Sequence, residues 1–218
     1  ELKLIVEEHW QTVFSGVVCF HGRTRIFPEL FTIYNFVRSI FKQSKKERDP
    51  NIKPETSLDT NYSFFRAMIY VLYYGCEYII AYGIIRRAKA KGGLIIFDRY
   101  FTDYFISQNF SNVPDIIFFF FLKCIPKPDL LIYLHADIQC LQKNIKKRDR
   151  TYEQNITDDY LLKIQKKYLD FFKKQNDFPV LIIDVTDTDF VQNDVVYQKI
   201  VSAIKKPYSL GVHQLSLQ

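Results

Sequence analysis

The sequence predicts an α/β protein in which a parallel β-sheet carries helices on both faces. Short apolar runs rich in branched residues alternate along the chain with longer helical patterns, and this alternation is typical of a parallel sheet. The 218 residues fit one domain with a substantial core, and no repeat, low-complexity tract or linker divides them. We therefore expect a single domain over residues 1–218.

In the first half of the chain, apolar residues at helical spacing and one β-branched run define the predicted elements. Pro28 is tolerated in the first turn of a helix, and Gly75 and Gly83 are candidate breaks in a long one. In order, we predict a helix end at 1–9, a strand at 12–20, a helix at 28–42, a charged loop at 44–60, a long helix at 61–91 and a strand at 94–97.

In the second half, two polar residues mark the starts of helices. Asp137 and Thr157 can each accept hydrogen bonds from the first free N–H groups of a helix. In order, we predict a short aromatic helix at about 114–124, a strand at 130–134, helices at 138–147 and 157–174, a strand at 180–183 and a helix at 190–205.

Composition narrows the classes of partner. The formal net charge of +6 suits small anionic substrates, and no recognition-helix or zinc-finger pattern points to nucleic acid. The four cysteines are scattered without paired spacing, which favours a reduced, cytoplasmic compartment over a disulfide framework. A homodimer is left open.

The apolar stretch 67–85 is long enough to span a bilayer as a helix. It carries Glu77 near its centre and several tyrosines, and a carboxylate at the bilayer centre is costly. We therefore predict a buried helix of a soluble protein and no membrane association.

The triplet Asp98-Arg99-Tyr100 follows the predicted strand 94–97 directly. A buried parallel strand that ends in Asp-Arg delivers a charged pair to the edge where open α/β sheets bind their ligands. A second block, Arg148-Asp149-Arg150-Thr151-Tyr152-Glu153-Gln154, lies between two helical patterns. Planar guanidinium groups suit phosphate oxygens, and such a loop can close over a nucleotide. Together the two blocks predict phosphoryl transfer, with a lid at about 148–156.

A phosphate-binding loop of the form Gly-x-x-x-x-Gly-Lys-Ser/Thr is not found in the sequence. The adjacent glycines Gly92 and Gly93 precede a strand and lack the following Lys-Ser/Thr. The sequence begins at Glu1, and its single methionine is Met68. We therefore expect the first strand and its phosphate loop to lie upstream of Glu1.

From Phe20 to about Ile204 the chain resembles the thymidylate kinase and deoxynucleoside kinase group of P-loop kinases. The resemblance rests on four segments in this order: Phe20-His21-Gly22-Arg23, Phe97-Asp98-Arg99-Tyr100, Lys127-Pro128-Asp129-Leu130-Leu131-Ile132-Tyr133-Leu134 and the block from Arg148 to Gln154. It implies a three-layer P-loop kinase fold whose central first strand, the phosphate-loop strand, is missing here. Strands 94–97 and 130–134 should then be parallel, separated by the width of one strand, and not hydrogen-bonded to each other.

The resemblance also implies roles for individual residues. Asp98 would lie near Mg²⁺, directly or through water, and Arg99 would hold the acceptor. Arg148 and Arg150 would neutralise charge that develops on the transferred phosphoryl group. Glu153 would meet the sugar 3′-hydroxyl.

Further candidates lie on the acceptor and donor sides. Arg66 and Tyr70, in the long helix, are candidate acceptor-binding residues. Asp184 and Thr186, after the last predicted strand, would line the adenine side of ATP. The resemblance thus implies an ATP-dependent kinase that uses Mg²⁺.

The choice of acceptor depends on the segment after the strand at 12–20. A nucleoside acceptor needs a carboxylate base for its 5′-hydroxyl, whereas a nucleotide acceptor is already ionised and needs a cation. This segment contains Arg23 and Arg25 and no carboxylate before Glu29. We therefore predict a nucleoside monophosphate kinase of thymidylate kinase type, acting on a deoxynucleotide such as dTMP.

Two alternatives remain open. The C-terminal half resembles the deoxynucleoside kinase branch at least as closely, and those enzymes phosphorylate the 5′-hydroxyl. A non-catalytic relative that lost its phosphate loop and serves as a binding or regulatory domain is the alternative from a different class.

Overall fold

The computed structural model describes most of the chain from Phe64 onward and short segments before it. The described residues are 17–21, 25–30, 32, 64–107, 113–150, 156–186, 188 and 193–217. The chain divides into two compact units, residues 9–126 (the N-terminal unit) and residues 127–218 with 1–8 (the C-terminal unit). The predicted helices at 1–9 and 28–42 and the loop at 44–60 lie wholly or mostly outside the described residues. The single domain over 1–218 stays a prediction.

The N-terminal unit contains two parallel strands that end at the same edge. Its elements are β1 (Val17–His21), α1 (Phe64–Ala90), β2 (Leu94–Asp98), α2 (Phe101–Ser107) and α3 (Asp115–Cys124). The pairing of β1 with β2 runs from Val17 opposite Leu94 to His21 opposite Asp98. The charged pair that follows β2 therefore lies beside the end of β1.

Helix α1 is continuous over 27 residues, so Gly75 and Gly83 do not break it. Its Tyr78 is fully buried and contacts three aromatic rings. The ring centroids lie 6.0 Å from Phe97, 5.7 Å from Tyr100 and 5.4 Å from Phe101. This aromatic cluster fixes α1 against β2 and against the turn that carries the Asp-Arg pair.

Residues 67–90 of α1 are also long and apolar enough to cross a membrane, by length and composition only. The core helix of a soluble protein meets the same criterion, and 33% of the most apolar window is buried. The absence of membrane association therefore stays a prediction.

Tyr100 ties the turn after β2 to the segment after α3. Its hydroxyl donates a hydrogen bond to the carbonyl oxygen of Pro126, and burial raises the pKa of the phenol. Tyr100→Phe should lower the free energy of unfolding by about 1–3 kcal/mol, because the carbonyl loses its donor in a desolvated position. Urea unfolding of this variant beside Tyr82→Phe, which alters a half-exposed tyrosine of α1, measures the difference. Equal free energies of unfolding for the two variants would contradict the hydrogen bond from Tyr100 to Pro126.

The C-terminal unit contains a three-stranded parallel sheet. Its elements are β3 (Leu131–His135), α4 (Ile138–Arg148), α5 (Asp158–Lys174), β4 (Pro179–Asp184), α6 (Asp194–Ile204) and β5 (Gly211–Ser216). The strand order is β3-β4-β5, so β4 is central. Leu131 lies opposite Val180 and His135 opposite Asp184, while Pro179 lies opposite Gly211.

Alternate residues of β4 enter two different hydrophobic clusters. Leu181 and Ile183 pack with residues of α6 that include Ile200. Val180 and Ile182 pack with Phe172 of α5 and with neighbouring aromatic residues. Successive side chains of a strand point to opposite faces, so α5 and α6 cover opposite faces of this sheet. The predicted α/β class, with parallel strands and helices on both faces, is confirmed.

Both predicted helix caps are present. The Asp137 carboxylate accepts from the Cys140 N–H at 2.6 Å, and the Thr157 hydroxyl accepts from the Tyr160 N–H at 3.3 Å. Helix α6 begins at Asp194 rather than at 190, because Asn193 accepts from the first N–H groups of the helix. Helix α2 and strand β5 were not predicted.

Strands β2 and β3 belong to different units. Within the described part of the chain, β1 and β2 form one sheet and β3, β4 and β5 another. The predicted relation of 94–97 to 130–134, a gap of one strand width with no hydrogen bond between them, stays a prediction.

Candidate active site

The edge of the N-terminal unit presents Asp98 and Arg99 at the end of β2. Both residues are exposed, and Arg99 has a left-handed backbone with φ 73°. This conformation is uncommon for a residue other than glycine and sharply turns the chain between β2 and α2. The Arg99 Nη1 lies 3.4 Å from the Asp103 Oδ2, one helical turn further on. The turn thus pairs the guanidinium group of Arg99 with the carboxylate of Asp103.

Asp103 is the less exposed partner of this ion pair. The Asp103 side chain is 21% exposed, whereas that of Arg99 is 69% exposed. Burial raises the pKa of the Asp103 carboxyl, the Arg99 guanidinium opposes that rise, and the charge of Asp98 adds to it. Sequence analysis missed Asp103 as a site residue. The signal available was its spacing of four residues from Arg99 at the start of a helix, where i and i+4 side chains meet.

The acceptor-side candidates are only partly described. Arg25 is exposed and has a left-handed backbone with φ 55°. Tyr70 lies on α1, half-buried, with its ring 5.7 Å from that of Tyr74. Arg23 lies outside the described residues, and Arg66 belongs to α1 but its side chain is not described.

The predicted lid begins at the end of α4. Arg148 is the last residue of this helix, and Asp149 caps it with a left-handed backbone at φ 46°. Arg150 follows directly, and both arginines are exposed. Residues 151–155, and with them Glu153, lie outside the described residues. The structure therefore places the two arginines at adjoining positions on either side of a helix cap.

The edge of the C-terminal unit carries a hydrogen-bonded network at the ends of β3 and β4. Thr186 donates its N–H to the Asp184 Oδ1 at 3.0 Å, and its hydroxyl oxygen accepts from the Asp137 N–H at 3.1 Å. Hydrogen bonds from Thr186 hold the pKa of the Asp184 carboxyl below its usual range, and His135 contributes to that shift. Asp184 is therefore ionised and oriented at neutral pH.

Gln165 of α5 fixes the hydrogen-bonding state of His135. Its Nε2 donates to the Ala136 carbonyl at 2.8 Å and lies 3.0 Å from the His135 Nδ1. The Ala136 carbonyl can only accept, so the amide nitrogen faces both groups and Nδ1 accepts from it. The His135 ring is thus held in place by a side chain of α5, in line with a structural role.

The structure brings the predicted residues together within each unit. Asp98 and Arg99 share an edge in the N-terminal unit, and Asp184 and Thr186 share one in the C-terminal unit. The described residues contain no group of three or more His, Cys, Asp or Glu side chains arranged to hold a metal ion.

Comparison with known proteins identifies one family. A model of the deoxynucleoside kinase family matches residues 103–208. Deoxyadenosine kinase of Lactobacillus acidophilus is 37% identical over 82 residues, which cover 36% of this chain and 38% of that protein. Deoxyguanosine kinase of Bacillus subtilis is 30% identical over 86 residues, which cover 38% of this chain and 42% of that protein. The chain thus spans about two fifths of the length of these relatives.

A solved structure also matches. The deoxyadenosine kinase from M. mycoides with bound dATP aligns with 85% of this chain and 98% of its own, with 19% identity and a TM-score of 0.43.

These comparisons separate the two branches that the sequence left open. The matched family and the named relatives are deoxynucleoside kinases. The preference for a thymidylate kinase type, which rested on the arginines after β1, is not supported, and the alternative is favoured. Residues 103–208 are therefore similar to the deoxynucleoside kinase family.

Proposed function

We propose that the protein is a deoxynucleoside kinase, which transfers the γ-phosphoryl group of ATP to the 5′-hydroxyl of a deoxynucleoside. The observation that carries this proposal is the family match over residues 103–208, a range that includes α4, the start of the lid and the strand that ends at Asp184. The relatives named deoxyadenosine kinase and deoxyguanosine kinase support purine deoxynucleosides as the first acceptors to test.

Mg²⁺ and ATP are the proposed cofactor and phosphoryl donor. Asp98 is exposed at the end of a parallel strand, and carboxylate oxygens suit Mg²⁺. Asp98 would hold the ion, directly or through water, and Mg²⁺ supplies positive charge against the donor phosphates. On the donor side, the oriented carboxylate of Asp184 and the neighbouring Thr186 would line the adenine.

Three arginines and one carboxylate have proposed roles around the reacting groups. Arg99 holds the acceptor end, and its ion pair with Asp103 restricts where its guanidinium can lie. Arg148 and Arg150 neutralise charge on the transferred phosphoryl group. Glu153 binds the sugar 3′-hydroxyl.

On the acceptor side, the proposed substrate-binding residues are Arg23, Arg25, Arg66 and Tyr70.

The 5′-hydroxyl of a nucleoside acceptor must lose its proton, so the site needs a base. The chain has no carboxylate between Val18 and Pro28, where nucleoside kinases place a base after the corresponding strand. Asp98 lies beside the end of β1, because its Cα pairs with that of His21. We therefore propose that Asp98 both attracts Mg²⁺ and accepts the hydroxyl proton.

The choice of acceptor can be measured directly. The full-length protein, supplied with ATP and Mg²⁺, should phosphorylate deoxyadenosine or deoxyguanosine with a kcat/KM at least about tenfold above that for the matching monophosphates, since a site built for a nucleoside has no pocket for an extra phosphate. Coupled measurement of ADP formation with deoxyadenosine, deoxyguanosine, deoxycytidine, thymidine and their monophosphates gives this comparison.

Two other outcomes would support the two alternative functions. Faster phosphorylation of dTMP than of thymidine would return the assignment to the thymidylate kinase type. Binding of nucleosides without turnover of any acceptor would favour the non-catalytic alternative.

A further inference from the structure

A carboxylic acid is buried in the middle of the most apolar helix of the chain. Glu77 lies on α1 and is 0% exposed. A buried polar group is costly unless it is hydrogen-bonded, so its bonding partner shows what the residue is for. The Glu77 Oε1 accepts the backbone N–H of Ile26 at 2.9 Å, across 51 positions of sequence. The buried carboxyl therefore holds a backbone segment that is distant in sequence.

A second residue on the same face of α1 holds the same segment. Tyr73 precedes Glu77 by four residues, which is one helical turn. The Tyr73 hydroxyl donates to the Pro28 carbonyl at 2.7 Å, and its ring lies 5.2 Å from that of Phe27. The three contacts tie Ile26, Phe27 and Pro28 to α1, and we call residues 25–28 the docked segment.

The docked segment lies close to the edge that carries the Asp-Arg pair. It follows β1, whose last residue, His21, is paired with Asp98. Arg25 lies four positions after His21, and four residue steps reach at most about 14 Å. Arg25, exposed at φ 55°, directly precedes the residue whose N–H is bound by Glu77. The position of Glu77 thus determines where Arg25 and the docked segment stand relative to Asp98.

We propose that Glu77 is a positioning residue for the acceptor subsite, which acts by holding the docked segment on α1 through the Ile26 N–H. This inference rests on the proposed function, because it takes the segment after β1 to border the acceptor. Glu77 does not touch the substrate. Its effect passes through the backbone of Ile26 to Arg25.

Two substitutions at Glu77 separate positioning from general stability. Glu77→Leu keeps the approximate volume and removes the acceptor of the Ile26 N–H. Glu77→Gln keeps a carbonyl oxygen that can accept the Ile26 N–H. Tyr73→Phe removes the other hydrogen bond, and Tyr82→Phe removes a half-exposed hydroxyl of α1 as the matched control.

Steady-state kinetics of the full-length protein give the first test. Glu77→Leu should raise the KM for the deoxynucleoside by about tenfold, the upper range for loss of one such hydrogen bond, while the KM for ATP changes by less than about twofold. Tyr73→Phe should also raise the KM for the deoxynucleoside, by a smaller factor. Glu77→Gln and Tyr82→Phe should stay within about threefold of the parent.

Hydrogen exchange of the peptide that contains Ile26 gives a second test, which needs no activity. Exchange should be faster in Glu77→Leu than in the parent and nearly unchanged in Glu77→Gln, with equal unfolding midpoints. If Glu77→Leu does not fold, Tyr73→Phe carries the same test through the Pro28 carbonyl.

The outcomes distinguish a failure of the proposed kinase function from a failure of the positioning role of Glu77. A parent protein that phosphorylates no nucleoside overturns the proposed function, whereas the exchange result still reports on the hydrogen bond. An active parent with an unchanged acceptor KM in Glu77→Leu overturns the positioning role. Equal rises in both KM values, or equal losses in Glu77→Leu and Glu77→Gln, would also overturn it.

Discussion

Arg150→Ala is expected to lower kcat by up to roughly a thousandfold with little change in the KM for the acceptor. The guanidinium would meet charge that develops mainly in the transition state, and a group of that kind contributes to kcat rather than to ground-state binding. Arg150 follows the left-handed cap of α4 directly, so its backbone is anchored to a helix end. Steady-state kinetics of the full-length protein with ATP and a deoxynucleoside measure the effect.

Three further variants define the role of Arg150. Lys147 is an exposed cation near the end of α4, so Lys147→Ala is the matched control and should retain kcat within about twofold. Arg148→Ala should lower kcat by less than Arg150→Ala does, if Arg150 provides more of the charge neutralisation in the transition state. Glu153→Gln should instead raise the KM for the deoxynucleoside, because its proposed partner is the sugar hydroxyl. Full kcat with a raised KM for ATP in Arg150→Ala would show ground-state binding and contradict the transition-state role.

Gly75→Ala is expected to destabilise the protein, although alanine is the better helix former. A Cβ built on Gly75 would lie 2.3 Å from the Cδ1 of Phe121, which is a severe overlap with a ring of α3. Overpacking of this kind costs about 1–3 kcal/mol and outweighs the gain in helix propensity of about 1 kcal/mol. The free energy of unfolding should therefore fall, by up to about 2 kcal/mol.

The same helix supplies the control for this substitution. A Cβ on Gly83 would meet no atom within 4 Å, so Gly83→Ala should raise the free energy of unfolding by about 0.5–1 kcal/mol. Urea unfolding followed by circular dichroism compares both variants with the parent. Changes of the same sign at the two positions would mean that Phe121 does not pack against α1 as the structure shows.

The sequence by itself determined features that depend on a few neighbouring residues. The strand before Asp98, the caps at Asp137 and Thr157 and the continuous aromatic helix at 115–124 follow from local patterns and occur as predicted. Their signals are strong because hydrophobic period and capping chemistry act within about one helical turn. The Asp98-Arg99 pair was found for the same reason, since it directly follows a β-branched run.

The acceptor branch was not determined by the residues after β1 alone. Arg23 and Arg25 favoured a nucleotide acceptor, whereas the family match over 103–208 favours a nucleoside. A short polar turn carries few constraints, and one cation there is compatible with several ligands. The match extends over most of the second half of the chain and therefore weighs more.

Only the tertiary structure decided the features that join distant segments. Strand β5 has few β-branched residues, and it is a strand because β4 offers it a complete row of backbone partners. Glu77 looked like an argument against a membrane helix, and the fold shows it holding the Ile26 N–H 51 residues away. Gly75 looked like a possible break, and the fold shows that its missing side chain makes room for Phe121. The physical reason is common to all three: a hydrogen bond or a close contact between segments far apart in sequence leaves no periodic trace in either segment, so it becomes visible only when packing brings them together.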